Sequence, residues 1–272
     1  IGKAIKDTMG VDLRVLPGKN DVSRQVPLRQ KQVHFSATGV GASYMAQEGV
    51  FEFGTKEWGP QDVRMLMAAN SDSNLSVGVA NDLGIKTLAD LKGKRVAWIV
   101  GSPSLNENVT AILAFAGLTW ADVKKVEFPG FGQSWDGLIA NQVDAAFAQT
   151  SSGKCFQAAS GPRGLFWPPL PHTDKDGWKR LQAKGPFFQP NMGTEGANLA
   201  KDKPHEGGAY PYPILICYSD QNADLAYSMT KAMLELFPKY KDTTPGINGW
   251  SLDRQNFAWA VPYHDGAIRY FK

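Results

Sequence analysis

RVAWIVGSPSLNENVTAILAFAGLTWADVKKVEFPGFGQSWDGLIANQVDAAFA, residues 95–148, decides the fold. Arg95 to Val100 reads as a buried strand, its Val96 to Val100 an apolar run of strand length. In the turn Gly101-Ser-Pro-Ser104-Leu-Asn-Glu107, Ser104 and Glu107 have the spacing of a capping box. Behind them Val109, Ile112, Leu113 and Ala116 share one helical face, and Gly117 ends the helix. Val123 to Phe128 then reads as a strand, Ser134 to Asn141 as a helix and Val143 to Ala148 as a strand. This β-α-β-α-β order predicts an α/β fold, a parallel or mixed sheet flanked by helices.

Toward the N-terminus, Ile1, Ile5 and Met9 lie four apart and predict a short amphipathic helix. Because α/β domains usually open on a strand, this helix reads as the second element of such a fold. Val11 to Leu16 is expected to be a strand closed by Pro17-Gly18. Val22 to Gln30 is expected to be helical, with Pro27 limiting its length. Val33 to Thr38 predicts a strand ending in Gly39-Val-Gly41, and Ser43 to Glu48 a helix. Val63 to Ala69 and Leu75 to Ala80 predict strands, and Thr87 to Leu91 a capped helical turn. Toward the C-terminus, Pro162 to His172 reads as loop and Gly193 to Pro213 as a polar, glycine-rich segment. Ile214 to Tyr218 predicts a strand. Asn222 to Phe237 predicts a helix with Leu225, Met229, Ala232, Met233 and Leu236 on one face, stopped by Pro238.

The 272 residues suit two linked lobes better than one core, and the 43% hydrophobic content can bury both without disulfides or metal. A net charge of +3 is too balanced for nucleic acid on electrostatic grounds. No stretch approaches the roughly 20 apolar residues of a membrane span. The chain opens at Ile1 without a charged-then-apolar leader, as after removal of a signal peptide or trimming. Cys155 and Cys217 show neither metal nor redox spacing; buried thiols are expected, with a disulfide open in an oxidising compartment.

Enzyme motifs fail residue by residue. In Gly39-Val-Gly41-Ala-Ser-Tyr44 a tyrosine replaces the third glycine of a dinucleotide fingerprint. Lys92-Gly-Lys94-Arg95 lacks the glycine loop and Ser/Thr of a phosphate-cradling loop, and Gly132-Gln-Ser134-Trp-Asp136 breaks the nucleophile elbow. His205-Glu206 has no second histidine four residues on, and nothing gathers the four histidines into a triad or metal site. An enzyme using Cys155 remains as an alternative, with Lys154 the only local cation.

Ligand capture fits better. Open α/β sheets bind at the carboxyl ends of their strands, where helix N-termini direct N–H groups and a positive dipole end at an anion. Ser102, Ser104 and Asn106 stand at such a turn, as do Thr38 and Gly39, and Gln149 and Thr150; Ser104 could equally be no more than a cap. Arg24 is a candidate fork for a carboxylate. Gln133 lies in a neighbouring turn, and Tyr44 and Tyr210 could wall a pocket.

Several segments resemble a known family. Leu88-Ala-Asp-Leu-Lys-Gly-Lys-Arg-Val96 resembles a stretch of type II periplasmic binding proteins. Ala116-Gly-Leu-Thr-Trp-Ala-Asp-Val123, Gly137 to Phe147, Ala226-Tyr-Ser-Met-Thr-Lys-Ala232 and the tail Val261-Pro-Tyr-His-Asp-Gly-Ala-Ile-Arg-Tyr270 are similar, in that order, to the TAXI subunits of TRAP transporters. The resemblance runs from about Arg24 to the end. It implies a two-lobed periplasmic receptor, not an enzyme and without cofactor or metal, that delivers a small organic acid to TRAP permease subunits; a binding subunit of an ABC importer, or a sensor, is the alternative. On this pattern the ligand loops fall on Gly101 to Asn108 and Gln149 to Ser151. Departures are the loop Ser-Pro-Ser-Leu-Asn-Glu where the family has a small glycine-rich one, Arg24 near an expected asparagine, and Asp265 in place of a proline. The expected architecture is one lobe of residues 1–93 plus 204–272 and another of 94–203, two crossings making a hinge, a cleft that closes on ligand, and a monomer.

Overall fold

The computed structural model describes residues 1–56, 58–255 and 261–272. In chain order the elements are α1 (Gly2–Met9), α2 (Asp21–Arg29), β1 (Ser36–Thr38), α3 (Val40–Glu48), β2 (Val63–Ala68), β3 (Leu75–Val79), β4 (Arg95–Ile99), α4 (Pro103–Phe115), β5 (Lys124–Phe128), α5 (Phe131–Ile139) and β6 (Ala145–Gln149). There follow α6 (Gly153–Ser160), α7 (Lys175–Gln182), β7 (Gln189–Gly193), β8 (His205–Ala209), β9 (Ile214–Tyr218), α8 (Ala223–Glu235), α9 (Phe237–Tyr240) and α10 (Asp265–Phe271). The chain forms two compact units, Ile1–Ser71 with Pro211–Lys272, and Asp72–Tyr210.

The second unit holds a four-stranded sheet of order β3-β6-β4-β5, with β4 parallel to β5 and β6 and β3 antiparallel to β6. The predicted β-α-β-α-β order is realised as β4-α4-β5-α5-β6. The boundaries differ from those expected at 93/94 and 203/204, because β3 registers along its whole length with β6, from Leu75 opposite Gln149 to Val79 opposite Ala145. Residues 72–93 therefore belong with this sheet, and β8 falls in the same unit, paired with β7 in a separate two-stranded sheet. Gly78 lies in a tightly packed part of the core: a Cβ there would lie 2.9 Å from both Leu165 and Trp135. Arg95 at the start of β4 grips Asp144 before β6 with Nε and Nη2, at 3.1 and 2.6 Å, closing the amino ends of the two strands.

In the first unit β9 lies between β1 and β2, antiparallel to both, with a bulge between Met65 and Met67. Leu66, Met67, Leu215, Met233, Tyr240 and Trp250 fill its main core. The tail is clasped by His264, whose Nδ1 accepts from Gly266 N–H at 3.0 Å while Nε2–H donates to the Ser219 carbonyl at 3.2 Å.

Four sequence expectations change. Val11 to Leu16 is not a strand: it has no ladder partner, and Val15 is 73% exposed. Alternating hydrophobicity alone cannot hold an extended segment without a neighbouring strand. α2 runs through Pro27, which forfeits only the bond to the solvent-exposed Ser23. The glycine-rich segment after Met192 is a β-hairpin, β7–β8. It needs its glycines because a Cβ on Gly193 or Gly207 would meet the Asn74 side chain at 2.7 and 2.5 Å. The α7 helix was not anticipated; Asp174 caps it through the Gly177 N–H.

Gly266 in α10 lies directly on α8, where an added Cβ would sit 2.4 Å from the Ala223 carbonyl. Gly266→Ala should cost about 1–3 kcal/mol and lower the melting temperature. Gly153→Ala, at a helix start with nothing within 4 Å, should leave it unchanged or higher; equal losses would refute the packing assignment.

Candidate anion-binding site

Apart from α1 and the four-residue α9, which also lack a side-chain cap and an acidic first turn, the helices divide into two kinds by their first turns. In α2, α7, α8 and α10 a side chain caps the N-terminus, from Asn20, Asp174, Asn222 and His264, and each first turn carries an aspartate. These are the ordinary ways of answering orphan N–H groups and the positive dipole end. α3, α4, α5 and α6 have neither a side-chain cap nor an acidic first turn. Each of these four follows a strand: β1, β4, β5 and β6 in turn. In the second unit β6, β4 and β5 are parallel neighbours, so the N-termini of α6, α4 and α5 stand along one end of one sheet.

The predicted residues of that sheet end play distinct parts. α4 begins at Pro103, so its N-cap is Ser102 and not Ser104. Ser102 is fully buried and its Oγ has no hydrogen-bond partner. A buried N-cap hydroxyl left unpaired is costly unless a ligand or water meets it. Ser104 is buried in the first turn. The Asn106 amide is spent on β4, accepting from Ile99 N–H and donating to Ile99 O, each at 2.9 Å. Thr150 is also structural: Oγ1 accepts from Asn74 N–H at 3.0 Å and donates to the Glu195 carbonyl at 2.7 Å. Gln149 ends β6 and its carbonyl accepts from Ser152 N–H at 2.9 Å. Gln133 is exposed in the first turn of α5. Tyr210 is buried against Phe187 and Phe188, and its hydroxyl accepts from Asn108 Nδ2 at 2.7 Å.

In the first unit Thr38 repeats the pattern of Ser102. It ends β1 just before α3, is fully buried, and its Oγ1 has no partner. Gly39 is the uncapped N-cap of α3, and Tyr44 lies on that helix, half exposed. The Arg24 stem lies over Gly18, and its guanidinium makes no ion pair among the described residues. Gln25, not anticipated, is buried with Nε2 unpaired.

Sequence reasoning missed Asn74, and reached Asn108 only as the last residue of the loop Gly101 to Asn108 that the family resemblance implied. Asn108 lies four residues after Ser104, on the same helical face, and that spacing was the available signal. Asn74 gave none, because its partners are distant in the chain: Nδ2 donates to the His205 carbonyl at 2.9 Å and Oδ1 accepts from Asn191 Nδ2 at 2.8 Å. Asn74 Nδ2 also lies 3.0 Å from His205 Nδ1, while His205 Nε2 lies 3.1 Å from the Pro168 carbonyl. A carbonyl can only accept, so Nε2 carries the proton and Nδ1 accepts from Asn74: the ring is neutral.

Cys155 is buried in the core of the second unit; its Sγ donates to the Gln149 carbonyl at 3.5 Å, and burial raises its pKa. Lys154, the cation a reactive Cys155 would need, is paired with Asp136 at 2.6 Å. The nucleophile reading thus loses both its thiolate and its partner. Cys217 is a second buried free thiol, in the core of the other unit.

Burial pushes the His205 pKa down, against the smaller upward pull of the Pro168 carbonyl and Glu206. Above about pH 6.5 the ring is neutral folded and unfolded; as pH falls below that, the unfolded chain takes up the proton first and the fold loses stability. The urea midpoint should therefore drop between about pH 7 and 5, with a shallower slope in His205→Gln; identical slopes would refute the assignment.

A model of the NMT1-like family matches residues 22–272. No curated protein matches the chain. The fold is similar to that of the periplasmic aliphatic sulphonate binding protein SsuA from Escherichia coli, at 15% identity over 93% of this chain and 73% of that one, with a TM-score of 0.50. It is similar also to PhnD1 from Prochlorococcus marinus, solved in complex with methylphosphonate, at 11% identity over 90% of this chain and 83% of that one, TM-score 0.52. The fold class is that of the two-lobed type II periplasmic binding proteins.

Proposed function

We propose that this chain, which belongs to the NMT1-like family, is the extracytoplasmic solute-binding subunit of a membrane importer and holds a small anionic molecule without transforming it. The observation that carries this reading is the division among helix N-termini. Four helices that follow strands are uncapped and free of acidic first turns, as are α1 and the short α9, while the remaining four are capped and acidic. The buried, unpartnered hydroxyls of Ser102 and Thr38 lie at two of the uncapped ends. Neutral donors and dipole ends suit an anion that must be released again, since a fully charged cage would hold it too tightly.

The sequence suggested a carboxylate. The two structures of similar fold bind, by their descriptions, aliphatic sulphonates and methylphosphonate. These widen the proposed head group to carboxylate, sulfonate or phosphonate. Among the described residues no helix is long and apolar enough to cross a membrane. Delivery to a TRAP-type permease rests on the TAXI-like segments of the sequence. The ABC-importer reading uses the same site, and the genes beside this one distinguish the two.

A thermal-shift screen against amino acids, keto acids, dicarboxylates, aliphatic sulfonates and phosphonates tests the reading. At least one anion should raise the melting temperature, because a ligand selective for the folded state stabilises it, and its neutral amide or ester should not. Ser102→Ala should weaken the active anion about tenfold, the worth of one hydrogen bond to a charged group. Stabilisation by neutral compounds only would overturn the reading.

A further inference from the structure

Lys154 is electrostatically misplaced as the structure stands. It is the second residue of α6, and a cation in a first turn faces the positive dipole end. Its stem passes the first turn of α5, where a Cβ on Gly132 would lie 3.9 Å from Lys154 Cε. Its ammonium is held by Asp136 of α5 at 2.6 Å, in a pair whose side chains are 30% and 58% exposed. A pair so exposed contributes little to stability, which does not account for a lysine at that position. An anion at the sheet end would. The N-termini of α6, α4 and α5 lie side by side there, with the buried, unpartnered Ser102 Oγ at the middle one. The flexible four-carbon stem of a lysine supplies the freedom that an approach to such an anion needs.

Resting on the reading of this sheet end as the anion site, we propose that Lys154 sets the charge preference of the site: it leaves Asp136 for the ligand and selects dianionic over monoanionic head groups. Helix ends and hydroxyls supply partial charges adequate for a single negative charge. The ammonium is the one full charge that α4, α5 and α6 bring in their first turns, and it adds most where the head group carries two. Asp136 is its parking place, holding it off the empty site.

Methylphosphonate, a dianion at mildly alkaline pH, and methanesulfonate, its monoanionic isostere, test this by calorimetry. In the wild type methylphosphonate should bind the tighter. Lys154→Met should weaken methylphosphonate about tenfold and methanesulfonate about threefold or less, the charge-assisted contact being strongest for the dianion. Asp136→Asn should tighten methylphosphonate, because the lysine is no longer held back; a lysine with only a structural role would give the opposite sign or no change. Lys154→Met should also leave the ligand-free melting temperature level or higher. Equal losses for both probes, or weaker methylphosphonate binding in Asp136→Asn, would overturn the assignment of Lys154 and leave the anion site standing. If neither probe binds the wild type, the anion site itself fails at this position and the inference with it.

Discussion

Backbone N–H groups that no side chain answers are the constraint on which the second unit is organised. A helix whose first turn lacks both a cap and an acid leaves orphan donors and a positive dipole end. The chain could cap them, since it does so at Asn20, Asp174, Asn222 and His264. It leaves them open after β4, β5 and β6, where parallel pairing sets the helix starts in a row. Each favourable dipole contact contributes only about 0.3–1 kcal/mol, so a useful site needs several aimed at one place, and a parallel sheet is a simple way to aim them.

Holding that place open requires rigid support below it. Asn106 ties the first turn of α4 to β4 through both atoms of its amide. Thr150 ties the end of β6 to Asn74 and to the Glu195 carbonyl, and Asn74 carries the connection to the β7–β8 hairpin through His205 and Asn191. These are buried polar groups with their bonds made, and such groups fix one arrangement because each alternative leaves a donor or acceptor unpaired. In the proposed site, the Asn106 and Thr150 side chains would act one layer beneath the ligand.

Much of this was legible in the chain, and the remainder fails for identifiable reasons. The alternation from Arg95 to Ala148 announced the parallel unit because β4 and β6 are largely apolar and the helix between β4 and β5 is periodic. The small polar residues after each strand marked the strand ends. Periodicity could not show that Val11 to Leu16 would have no neighbour, or that a glycine-rich stretch would pair as β7 and β8 around Asn74. Both depend on partners far along the chain. Local sequence could not divide Ser102 from Asn106 either: both are small polar residues in the same turn, and only the path of the backbone shows one amide consumed and one hydroxyl left over.

The most direct measurement is an amide NMR titration of the isotopically labelled 29.7 kDa chain with sulfate as the probe anion. Shifts should concentrate on the first turns of α4, α5 and α6, at Leu105, Gly132 and Gly153, and leave the capped first turns of α7, α8 and α10 unmoved. Perturbations spread evenly over capped and uncapped helices, or centred on the capped ones, would contradict the claim that the open helix ends form the anion site.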